Sequence, residues 1–246
     1  MTGNGLLQLA VYLGLLIAAV RPLGWFMAEV LEGRWPSQRG WIKAMECGIY
    51  RIAGIDASQE MTWKAYAAAV LLFNGLGLGI VFAILRFQHL LPLNPEGLTA
   101  ATADLAFNTT ISFTSNTNWQ SYGGETTLSY FSQMVGLGVQ NFLSAATGMA
   151  VLAALIRGLA RTKALTIGNF WVDVTRVTLY ILLPLSVMLA IALVSQGVVQ
   201  TFEPYATATT LEGSEQSIAL GPAASQVSIK QLGTNGGGFF NVNSAH

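Results

Sequence analysis

Thr114-Ser115-Asn116-Thr117-Asn118-Trp119-Gln120 is the stretch on which the reading of this chain turns, and Gly233-Thr234-Asn235-Gly236-Gly237-Gly238 is its weaker echo. Both are uncharged and built largely from small, hydroxyl or amide side chains. Each follows a segment of helical character too short to cross a bilayer, in a long connection next to strongly apolar stretches. A dehydrated cation needs oxygen dipoles in place of its water shell, and backbone carbonyls, hydroxyls and amides supply them. The two loops therefore read as ion-selectivity loops that the helices exist to hold. The competing reading is a pair of glycine- and asparagine-rich surface turns. Recurrence of the same half-helix and loop favours the first.

The surrounding chain is apolar enough to support such loops in a membrane. Of its 246 residues 52% are hydrophobic and 10% charged, with zero net charge and a mean hydropathy of +0.51. Soluble domains carry about 25% charged residues. Apolar segments at 6–28, 65–85, 130–156 and 177–195 each match the ~20 residues that cross a ~30 Å hydrocarbon core. No Lys or Arg precedes the first, so it reads as a retained helix rather than a cleaved signal peptide. Arg34, Arg39, Lys43, Arg51 and Lys64 lie between spans one and two, and Arg157, Arg161, Lys163 and Arg176 between spans three and four. The positive-inside rule then predicts that both basic loops are cytoplasmic and both ends of the chain outside.

The predicted fold class is an all-α polytopic membrane protein, with potassium-channel-like membrane–pore-loop–membrane repeats and re-entrant half-helices. An extra first transmembrane helix (1–30) and a cytoplasmic loop (31–64) precede a first pore repeat at 65–157, with half-helix 99–112 and filter 114–120. A second cytoplasmic loop (158–176) leads to an incomplete second repeat at 177–246, with half-helix 222–231, Pro222 at its first position, and filter 233–238. Placing Phe107–Gln120 over Ala224–Gly237 superposes Thr117-Asn118 on Thr234-Asn235.

A half-helix that ends at a loop brings the negative end of its dipole there, which favours a cation. The extended backbones can aim carbonyls at a central axis, with amide oxygens of Asn118 and Asn235 added if they point inward. Glycines allow close approach and positive φ. Divalent ions recruit carboxylates and neither loop has one, which makes potassium the better fit. Lys230 is awkward so close to a cation path, and is expected to face headgroups or another subunit. Gly75 and Gly79 suit close helix packing. Gln140 and Asn141 in span three suit interhelical hydrogen bonds or the ion path, and Asp104 either bonds backbone behind the loop or sits in a vestibule. No Walker A loop, nucleophile–base pair or metal cluster is present; His89 and His246 are isolated, Cys47 is the single cysteine, and zero net charge argues against nucleic acid.

FNTTISFTSNTNWQSYGGET, GPAASQVSIKQLGTNGGGFFNVNSAH and the RWPSQRGWIKAMECGIYRIAGID loop closely resemble the KdpA family, the A subunits of bacterial potassium-transporting ATPases, and the resemblance covers the whole chain. It implies a filter that selects extracellular potassium and passes it to a P-type ATPase subunit, KdpB, with accessory subunits KdpC and KdpF, in the bacterial inner membrane. It assigns Asn116, Thr117, Asn118 and Gln120 to the first filter segment, and Gly233, Thr234, Asn235 and Gly236 to the second. It implies potassium as substrate, no cofactor in this chain, and ATP hydrolysis on the partner. Alternatives are a channel-like transporter without ATP coupling and a non-conducting fragment. Family members are roughly twice this length, with ten spans and four filter segments, so the chain reads as one complete repeat and part of another.

Overall fold

The computed structural model describes residues 2–35, 40–163 and 165–241. Arg39 and His246 lie outside them. The chain divides into two compact units, 1–55 and 56–246.

The first unit holds α1 (Gly3–Leu31) and α2 (Trp41–Ala53). Thr2 caps α1 by accepting the Gly5 N–H, and Gly54 ends α2 in the left-handed region at φ 65°. The α2 helix lies inside the stretch expected as cytoplasmic loop.

The second unit is built on three further apolar helices. α3 (Trp63–Phe87) starts at the Thr62 cap and continues through a 3-10 turn to Leu90. A π-helical stretch, Ser132–Gly138, runs into α6 (Val139–Ala160). The third begins at α7 (Phe170–Arg176), passes through a second π-helical stretch, Val177–Leu182, and continues as α8 (Leu183–Ser195). With α1 these make four helices, among the described residues, that are long and apolar enough to cross a membrane. The last starts seven residues before the expected 177, because Asn169 accepts the Trp171 and Val172 N–H groups and nucleates the first turn there.

Two short helices lie in the long connections. α4 (Ala103–Thr114) is capped by Thr102 rather than starting at 99, and α9 (Ala223–Leu232) has Pro222 at the N-cap instead of the first helical position. α4 packs on α3 and α6, and α9 on α8 and α6, so α6 stands between the two short helices. A one-turn helix, α5 (Gly124–Thr127), follows the first loop. An antiparallel hairpin, β1 (Ala206–Thr209) with β2 (Glu215–Ile218), precedes α9. Short, polar and exposed, it carries no pattern that hydropathy would flag.

Opposite the loops, polar side chains close the ends of the helices. Arg157 grips Asp173 with both guanidinium nitrogens, at 2.6 and 2.8 Å, and Tyr66 donates to the same carboxylate at 3.0 Å. Arg161 makes the same fork on Glu60, at 2.7 and 2.9 Å. That fork and the Thr166 hydroxyl hold the Glu60 carboxyl down at about 2. Gly75 and Gly79 face open space, and Gly77 is the close-packed glycine, where an added Cβ would sit 2.8 Å from Gln140 Oε1. One sequence expectation, that Lys230 faces headgroups or another subunit, fails here: Lys230 points into the protein, 1% exposed.

Candidate ion-binding loops

The loops begin where α4 and α9 stop, and they begin alike. Ser115 and Gly233 cap the helices with nearly equal backbone angles (φ −84°, ψ 3° and φ −77°, ψ −6°). The next residue of each, Asn116 and Thr234, turns into the left-handed region at φ 55° and 58°. Few non-glycine residues adopt that conformation; its occurrence at matched points gives the two loops a common register. Asn116 corresponds to Thr234, Thr117 to Asn235, and Asn118 to Gly236. The superposition of Thr117-Asn118 on Thr234-Asn235 is therefore one residue out, because matching identical letters hid a match of backbone shape.

Side-chain amides sew the loops together. Asn116 Nδ2 donates to the Gly233 carbonyl (3.0 Å), Asn118 Nδ2 to the Gly236 carbonyl (3.2 Å), and Asn235 Nδ2 to the Thr117 carbonyl (3.2 Å). Gln120 spans the far end, donating to the Phe240 carbonyl (3.0 Å) and accepting the Gly238 N–H (2.7 Å). Asn235 Oδ1 takes the Gly237 N–H at 3.0 Å, so both ends of this amide are engaged within the loops. Asn235 thus acts as a strut between the two loops. Asn118 donates through its nitrogen, and its oxygen accepts nothing from the described residues. The Thr117 carbonyl is also spent, accepting from Ser112 Oγ (2.8 Å) as well as from Asn235. In contrast, the carbonyls of Asn116, Asn118, Thr234 and Asn235 accept no hydrogen bond from the described residues.

Two glycines show why the second loop needs them. Gly236 has φ 86°, and a Cβ on Gly233 would lie 2.9 Å from the Asn141 carbonyl of α6. Sequence reasoning missed several residues that hold the loops. Ser112 accepts the Trp119 N–H, and Ser144 on α6 donates to Asn116 Oδ1 at 3.1 Å. Gln133 donates to the Phe239 carbonyl and accepts Gln226 Nε2, and Glu125 accepts the Asn241 N–H. Amides inside an apolar helix are the available signal, and hydropathy singles out Gln140 and Asn141 by it. Gln140 packs on Gly77, and the Asn141 side chain, fully buried, has no partner among the described residues. Asp104 is exposed in the first turn of α4, where a carboxylate complements the helix dipole.

Four long apolar helices, with polar loops anchored between the ends of shorter ones, define a multi-pass helical membrane protein. Comparison with known proteins narrows the class. The family model described as potassium-transporting ATPase A subunit, KdpA, matches residues 10–246, and the chain belongs to that family. It is 62% identical over its whole length to the potassium-transporting ATPase potassium-binding subunit of Rhodospirillum centenum, and 60% identical to that of a strain of Methylorubrum extorquens. The protein of the same name in Sorangium cellulosum is 60% identical over 255 aligned residues. The chain covers 43% of the length of each of the first two and 44% of the third.

Proposed function

We propose that loops 114–120 and 233–238 are two segments of a potassium filter in the potassium-binding subunit of an ATP-driven uptake system. The observation that carries this reading is the network of amide struts between two matched loops, each at the C-terminal end of a short helix. Those struts fix the spacing of the unspent Asn116, Asn118, Thr234 and Asn235 carbonyls, which would replace water around a potassium ion. The half-helices add the negative ends of their dipoles. The matched left-handed turns at Asn116 and Thr234 re-aim the backbone beyond each helix, which suits these two carbonyls as the equivalent ligands of neighbouring segments. Preorganised spacing favours the ion whose dehydration and coordination it matches, and no carboxylate in either loop draws divalent ions.

Both ends of the chain lie outside in this reading, with the Arg157 and Arg161 clamps at the cytoplasmic side. Ions enter from outside, pass the loops and are handed to a P-type ATPase catalytic subunit, KdpB, assembled with KdpC and KdpF in the bacterial inner membrane. ATP hydrolysis belongs to that partner. The test is rubidium and potassium uptake by the full-length subunit in its complex carrying Gln120→Ala or Gly236→Ala. Raised KM for potassium with weakened discrimination against rubidium or ammonium supports the filter. Unchanged selectivity in a well-assembled complex would sink it.

A further inference from the structure

The α2 helix is amphipathic the wrong way round for a helix in water. Its buried face is polar: Glu46 is 0% exposed, accepting from Lys43 Nζ and from the Tyr50 hydroxyl, each at 2.8 Å. Its exposed face is apolar: Trp41 is 68% exposed and Ile52 90%, with Met45 and Ile49 exposed between them. At 3.6 residues per turn these four side chains fall within about 80° of one another, roughly a third of a turn from Glu46 and Tyr50. An exposed stripe of this kind needs an apolar phase against it.

We infer that α2 lies along the headgroup boundary of the membrane, with Trp41, Met45, Ile49 and Ile52 dipped into the acyl region of the leaflet. Its position in the chain supports a lipid surface as the occupant. Nine residues (32–40) join it to α1 and nine (54–62) to α3, and a chain of that length reaches at most ~32 Å. The helix is tethered at both ends to membrane-crossing helices and cannot leave the bilayer face by more than that reach. An aromatic anchor at its start and a cation at its end complete the pattern of an interfacial helix. Arg51 is exposed, makes no ion pair among the described residues and sits beside the stripe, placed for an anionic headgroup. Assigning that leaflet to the cytoplasm rests on the topology proposed above; the depth of the helix does not.

Nitroxide scanning of the full-length protein in vesicles of phosphatidylethanolamine and phosphatidylglycerol tests the inference. Labels are placed on native Cys47, which lies off the stripe, and on Met45→Cys, Ile49→Cys and Ile52→Cys in a Cys47→Ser background. The ratio of oxygen to nickel-chelate accessibility is expected to be several-fold higher at 45, 49 and 52 than at 47. High nickel accessibility at all four positions would place the helix in water and overturn the inference. Low accessibility to both reagents along the stripe would mean that protein covers it, with the same consequence. Labelling Cys47 with an impermeant maleimide from each side of the membrane tests the topology separately.

Discussion

Asn235 shows what one side chain contributes to the loops. It is buried, and its amide links Thr117 of the first loop to Gly237 of its own. Asn235→Ala removes both bonds, a loss of about 2 kcal/mol at ~1 kcal/mol each. The expected result is a raised KM for potassium in uptake assays, with the amount of assembled complex preserved. Gly236 is held by backbone instead: at φ 86° a Cβ costs about 1–2 kcal/mol. Gly236→Ala should therefore impair selectivity, whereas Trp119→Phe, at an exposed side chain, should leave it near normal. The chemistry of these positions was legible in the sequence because amides and glycines crowd there. Which amide faces an ion and which braces a neighbour was not, since that depends on contacts between residues 118 apart.

Among the elements, the short helices and the loops following them were readable from composition, to within a few residues. The π-helical stretches, the α2 helix and the hairpin were not. A π-turn changes hydrogen-bond register without changing hydropathy, and α2 hides polar groups while exposing apolar ones. The fork between Arg157 on α6 and Asp173 on α7 is the element-scale joint, with Asp173 side chain 2% exposed. Arg157→Met strands a buried carboxylate and should cost about 3–5 kcal/mol. Adding Asp173→Leu to Arg157→Met should return much of that stability, because a well-packed apolar pair needs no partner charge. Thermal unfolding of the purified protein in detergent reads both.

At the largest scale, within residues 56–246, charge and polarity divide the two ends of the helices. Neutral loops at one end are laced by amides, and arginine–carboxylate forks tie the other. Glu60 gives the second end a pH dependence. Its carboxyl is lowered to about 2 from an ordinary 4.5, so its contribution to stability is complete above about pH 4.5 and lost as pH falls towards 2. The pair is exposed enough that the effect should be small. Melting curves across that window should lose an increment that Arg161→Met has already removed. The proposed filter is best tested by anomalous scattering from thallium, a potassium mimic, in crystals of the full-length subunit within its complex. Density is expected between loops 114–120 and 233–238, within coordination distance of the Asn116 and Thr234 carbonyls. Thallium bound elsewhere in the subunit, with none between these loops, would contradict it.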